Sequence, residues 1–143
     1  MNRKFLGQLK IVHQDFIEMG LEAAEAIKLA TEAFENHDLG LADKVIEHDE
    51  VVNNLEIKLE KKTSQLIALQ QPVATNLRKV IAILKASSDV ERIGDHARDI
   101  VTSVNYQIKK KLKFSDDAKA EVQEMYELCN DIILKTIKSL EEN

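Results

Sequence analysis

Residues 6–34 read LGQLKIVHQDFIEMGLEAAEAIKLATEAF, and the order of apolar residues in this stretch decides the fold. Leu6, Leu9, His13, Phe16, Gly20, Ala23, Ile27, Ala30 and Phe34 succeed one another at alternating steps of three and four. A strand would need a period of two. Steps of three and four keep one face of a helix apolar, and an unbroken run of them packs that helix against neighbours at a shallow angle. The spacing predicts a first helix from Arg3 to Asn36, closed by Asn36-His37-Asp38, with Asp38 as the cap of the next helix.

Outward from there the pattern repeats. Leu41, Val45, His48, Val52, Leu55, Leu59, Thr63 and Leu66 predict a second helix over about Leu39 to Gln70. Pro72 suits a first helical position, where its missing N–H is not needed, so a third helix is expected from Pro72 to about Lys110 with Gln71 as its cap. That helix carries two apolar stripes, one through Val73, Leu77, Val80, Ile81 and Leu84 and another through Ile83, Ala86, Val90, Ile93, Ala97, Ile100, Val104 and Ile108. A helix apolar on two sides should lie between neighbours. A fourth is expected after Ser115, with Asp116 and Asp117 at its positive end and a stripe through Val122, Met125, Cys129, Ile132, Thr136 and Leu140.

Rods of about 30 residues or more are roughly 50 Å long at 1.5 Å per residue, and with short connections they stack up-down-up. The expected fold is all-α, an antiparallel three-helix bundle of long helices with an additional C-terminal helix. Residues 1–112 would form the bundle. Residues 115–143 would be either the first helix of an incomplete second repeat or a fourth helix, packed or swapped between chains.

Composition agrees and excludes several functions. The 143 residues hold one proline, four glycines and no tryptophan, and aromatics make up 4%, so the core must be aliphatic. A net charge of -5 argues against nucleic acid as a main partner. The basic run Lys109, Lys110, Lys111 and Lys113 reads as cations placed at a helix C-terminus. A lone Cys129 cannot form an internal disulfide or a thiolate cage, and suits a small core position. No apolar stretch approaches the ~18 residues of a membrane span, and Gln8, Lys10 and His13 interrupt any leader-like run. A cytoplasmic protein without direct membrane insertion is expected. Glu-x-x-His pairs, His-Glu-x-x-His, Gly-x-Ser-x-Gly and phosphate-cradling glycine loops are all absent from the sequence, so no enzymatic activity is expected.

The densest chemistry lies in Ser88-Asp89-Val90-Glu91-Arg92-Ile93-Gly94-Asp95-His96-Ala97-Arg98-Asp99. Glu91, Asp95 and Asp99 recur every four residues, where like charges repel across one helical face unless a cation or partner offsets them. Asp49, Asn53, Glu56 and Glu60 share a strip on the second helix. Asp49 lies as far before Gln71 as Ile93 lies after it, so in an antiparallel pair Asp49 and Asn53 are level with Glu91 and Asp95. Oxygen donors from two facing helices suit a hard or borderline divalent cation such as Mg, Mn, Fe or Zn. The alternative is an ordinary solvated acidic surface, neutralised locally by Arg92 and Arg98. Gly94 is read as a point of close helix approach. His13 and His48 are read as core histidines, and His96 as pointing away from the acidic centre.

The same residues carry a family resemblance. Leu69-Gln70-Gln71-Pro72-Val73-Ala74, Leu77-Arg78 and Val90-Glu91-Arg92-Ile93-Gly94-Asp95 closely resemble the signature of the PhoU family of phosphate-uptake regulators, and Met19-Gly20 and Leu41-Ala42-Asp43-Lys44-Val45-Ile46 fit its first repeat. The resemblance runs from about residue 5 to residue 105. It implies a non-enzymatic adaptor between the ATPase of a phosphate ABC transporter and a phosphate-sensor histidine kinase, which dampens the response when phosphate is plentiful. It also implies tandem three-helix repeats, each with a Glu/Asp-x-x-x-Asp motif for iron, zinc or another divalent metal. Glu91 and Asp95 would belong to that motif, with Asp49 on the facing helix. Asn53 stands where the family usually has Asp, so one donor is an uncharged amide oxygen. The sequence reaches only the opening helix of a second repeat, whose stripe predicts a homodimer, a higher oligomer or helix exchange. The competing reading is a metal-binding or structural oligomerisation bundle without a signalling role.

Overall fold

A computed structural model describes residues 3–142. Residues 1, 2 and 143, the outer ends of the two expected segments, lie outside the described residues. The described residues form four long helices: α1 (Arg3–Asn36), α2 (Ala42–Gln70), α3 (Thr75–Lys109) and α4 (Asp116–Glu142). A single 3-10 turn, Leu39–Leu41, precedes α2, and the Asp38 carboxylate caps it by accepting from Gly40 N at 2.8 Å.

The direction of each rod is set by its cross-links. Lys62 pairs with Asp15 and His48 with Glu22, so α2 rises as α1 descends. Val52 lies beside Gly94, and α3 returns alongside α1. Phe34 stacks on Phe114 at 3.9 Å, whereas Gly20 meets Ile133 and Ile137. α4 therefore runs antiparallel to α1 and packs on it. The all-α, long-helix expectation holds.

The internal arrangement differs from expectation in four places. α1, rather than α3, is the helix covered on two sides. Phe5, Leu9, Val12, Phe16, Met19, Ala23 and Ala26 are buried, and so are Gly20, Ile27 and Phe34, because α2, α3 and α4 all pack on α1. α3 instead buries one continuous seam, Val80, Ile83, Ser87, Val90, Gly94, Ala97, Val101 and Val104. Val73 and Ile81 of its expected first stripe are exposed.

Pro72 does not open α3. Gln71 adopts φ 46° and closes α2, its N–H bonding to Ile67 O, and Ala74 turns at φ 52° before α3 starts at Thr75. A left-handed residue ends a helix by turning its N–H back onto the last carbonyls, which leaves the proline in the connection. In α4 the buried residues are Ile133 and Ile137, one step from the expected Ile132 and Thr136. Ile132 is 59% exposed, and Cys129 is half-buried at the edge of the core with its thiol pKa pushed up by burial. Ser115 caps α4 as expected, its hydroxyl accepting from Ala118 N at 3.1 Å.

Candidate cation site between the second and third helices

The fourth difference makes the site. The spacing puts His48 in the α2 seam, but Asp49 occupies that place, wholly buried, between Val45 and Val52. His48 sits on the flank, half-buried, and bonds Glu22 of α1. Burying a carboxylate costs heavily unless its charge and lone pairs are met. One Asp49 oxygen, Oδ2, accepts from the Arg98 guanidinium at 3.3 Å. The other, Oδ1, is buried and has no hydrogen-bond partner.

Gly94 makes room for it. A Cβ added at Gly94 would stand 2.5 Å from Asp49 Oδ1 and 3.6 Å from a Val52 methyl. Glycine inside a helix costs about 1 kcal/mol relative to alanine. Here it is required by the approach of α3 to a buried carboxylate oxygen.

Around this pair lie the other acidic groups. Asn53 Oδ1 and Glu56 Oε2 are also buried without a partner, one and two helical turns along α2 from Asp49. Glu91 and Asp95 flank Gly94 on α3 and are half-buried. Burial first, then the hydrogen bond and charge of Asp95, then the charges of Glu56 and Asp49, push the Glu91 carboxyl up to about 7. Asp49 is raised chiefly by burial, with Arg98 opposing, Asp95 adding and Asn53 opposing weakly. Glu56 is raised by burial and by the charges of Glu60 and Asp95. Three carboxyls on two facing helices are thus held above their ordinary range by one another and by lost solvent.

The expected residues therefore divide. Asp49, Asn53, Glu56, Glu91 and Asp95 come together in one groove. Asp99 does not: its side chain is 79% exposed, with His96 Nδ1 at 3.8 Å. Eight residues at 100° each carry it about 80° around α3 from Glu91, out of the groove. Arg98 reads in the sequence only as a neutraliser of local charge. Its pairing with Asp49 is not legible from level, since Arg98 lies five residues beyond Ile93 and its long side chain spans the difference.

Donor chemistry fits a divalent cation: two or more carboxylates, an amide oxygen, and three buried oxygens without partners. Among the described residues, no three His, Cys, Asp or Glu side chains stand close enough together to hold an ion as placed. Ligation would therefore require the longer side chains to rotate inward. An apolar cavity lies elsewhere. It measures about 400 Å³ and runs between α1, α3 and α4, lined by Leu9, Phe16, Ile83 and Leu140. His13 stands at its edge rather than in the core, its pKa lowered by burial and by Lys79.

Fold and site together define a class: long-helix bundles that carry an acidic groove across two facing helices. Residues 16–104 match the model of the PhoU domain. The chain belongs to the PhoU family.

Among its relatives is the phosphate-specific transport system accessory protein PhoU homolog of Clostridium acetobutylicum, 32% identical over 151 aligned positions that cover 90% of this chain and 69% of that protein. The Aquifex aeolicus homolog is 38% identical over 97 positions, 68% of this chain and 44% of the relative. The Thermotoga maritima homolog 1 is 31% identical over 138 positions, 96% of this chain and 56% of the relative. The chain thus corresponds to between 44% and 69% of the length of these three relatives.

Proposed function

We propose that this chain is a non-enzymatic accessory regulator of phosphate uptake, working in the cytoplasm as an adaptor between a phosphate ABC transporter ATPase and a phosphate-sensor histidine kinase. Its acidic groove would hold a divalent cation, Fe, Zn, Mg or Mn. The relatives' role as accessory proteins of phosphate-specific transport supports the first part. The observation that carries the second is Asp49, wholly buried with Oδ1 unpartnered against Gly94. No helix among the described residues is long and apolar enough to cross a membrane.

Asp49, Asn53, Glu56, Glu91 and Asp95 would supply the ligands. A bound divalent ion would supply positive charge, offsetting the repulsion between the carboxylates of α2 and α3. Arg98 performs part of that task on Asp49 Oδ2. Elemental analysis of the purified protein tests the site. Metal should fall sharply in Glu91→Gln and in Asp95→Asn, and content unchanged in both removes these residues from it. Pull-down with the transporter ATPase and the histidine kinase tests the adaptor role, and capture of neither would overturn it.

Self-association is the remaining part of the reading. Met125, Leu128 and Ile132 form an exposed apolar stripe on the outer side of α4. Sedimentation should show an oligomer that Ile132→Glu dissociates. A monomer in both would remove the oligomer.

A further inference from the structure

The basic run at the α3–α4 connection is not absorbed by the helix dipole. Only Lys109 lies in the last turn of α3; Lys110 is its cap, and Lys111 and Lys113 come beyond the helix. A dipole attracts cations within the last turn, which accounts for one or two of the four. All four are exposed, and none of them is in an ion pair among the described residues.

The segment is firmly presented. Lys110 N donates to Tyr106 O at 3.0 Å, Lys111 N to Ile108 O at 3.1 Å and Leu112 N to Gln107 O at 2.9 Å, with Lys111 turning at φ 55°. Phe114 stacks on Phe34 and meets His37 edge-on at 5.5 Å, which ties this turn to the α1–α2 turn at the same end of the rod. Each turn shows one outward leucine, Leu112 at 49% and Leu39 at 41% exposure. Lys110 Nζ lies 6.0 Å from the Tyr106 ring centroid, and the end of the bundle therefore combines exposed lysines outside any described ion pair with two exposed apolar side chains, on a chain whose net charge is -5.

We infer that this end of the bundle docks on an anionic lipid surface. Lysines near such a surface are attracted to it, and an apolar side chain entering the headgroup boundary adds a second signal; either alone gives weak, reversible attachment. The acidic remainder of the protein is repelled, so the rods should stand with this end toward the bilayer. Asp38, Asp116 and Asp117 lie nearby and reduce the attraction, which makes attachment steeply dependent on salt. Leucines at the tips of two turns suit a flat bilayer better than the closely fitted face of an acidic protein. The inference does not depend on the cation groove.

Co-sedimentation of the purified protein with phosphatidylcholine vesicles, with and without phosphatidylglycerol, tests it. Binding is expected to the anionic vesicles only, and to be lost at high salt. Replacing Lys109, Lys110, Lys111 and Lys113 by Gln should weaken it by several hundred-fold, at about five-fold per lysine. Leu112→Asp should weaken it further at unchanged circular dichroism. Equal sedimentation of wild type and the four-lysine variant overturns the proposal, as does equal binding to neutral vesicles. Capture by heparin without any binding to anionic vesicles also overturns it, and would assign the lysines to a polyanionic partner.

Discussion

Two mid-helix glycines mark two of the seams between helices, and they do different things. Gly20 of α1 lets α4 settle, and a Cβ there would come 3.2 Å from the Ile137 Cδ1 methyl and 3.5 Å from Ile133. Gly94 of α3 lets α3 settle on α2, and a Cβ there would come 2.5 Å from the Asp49 Oδ1 atom. A terminal methyl on a flexible side chain can yield by a few tenths of an ångström. A carboxylate oxygen on a short, wholly buried side chain held by Arg98 has no comparable freedom. The α1–α4 seam is an apolar contact that can yield to an added methyl at Gly20. The α2–α3 seam is built around a charge that lacks a full set of partners.

The largest effect should come from the apolar seam itself. Ile133 is 2% exposed, so Ile133→Ala should cost about 2–4 kcal/mol through lost burial and the cavity left behind. Hydrogen exchange should then show α4 losing protection while α1, α2 and α3 keep theirs; uniform loss would mean that α4 is integral to one cooperative unit. The glycines come next. Gly94→Ala should lower stability by about 1–3 kcal/mol, because the clash outweighs the ~1 kcal/mol helix gain. Gly20→Ala should stay within about 1 kcal/mol of wild type, the same gain set against a small shift of Ile137. Denaturant midpoints that rank the two the other way would break the contrast between the seams.

Much of this is legible from spacing. Steps of three and four from Leu6 to Phe34 locate the body of α1, and the antiparallel level places Asp49 beside Glu91. The seam registers are less legible, for identifiable reasons. Ile132, Ile133 and Leu134 are consecutive, so periodicity cannot choose among them, and the socket at Gly20 chooses Ile133. The α3 seam holds Ser87 and Gly94, which look unlike core, while Val73 and Ile81 look like core and are exposed. Spacing gives the height of Asp49 but not its burial, because a charged residue in a seam is tolerated only where a partner such as Arg98 and a glycine opposite permit it.

A smaller effect should appear in the pH dependence of the polar seam. Glu91 moves from an ordinary 4.5 to about 7 in the folded protein, so folding favours its protonated form. Its stabilising contribution is full below about 4.5 and lost as pH rises through about 7. Chelator-treated protein should therefore show a denaturation midpoint that falls across that interval. Glu91→Gln should flatten the fall without abolishing it, since Asp49 and Glu56 are raised in the same direction. A midpoint rising with pH would reverse the assignment of cause.

The smallest effect separates Asp99 from Asp95, two residues one turn apart on the same helix. Asp99 is 79% exposed and outside the groove, so Asp99→Asn should change stability by less than about 0.5 kcal/mol and leave the Glu91 titration in place. Asp95→Asn removes the negative charge and alters the hydrogen bond that, after burial, hold Glu91 high, so the Glu91 carboxyl should titrate at lower pH. Carboxyl-resolved NMR titration of the two variants reads this directly. A Glu91 titration that moves equally in both would mean that the acidic ladder acts as one diffuse surface charge rather than as a groove centred on Asp49.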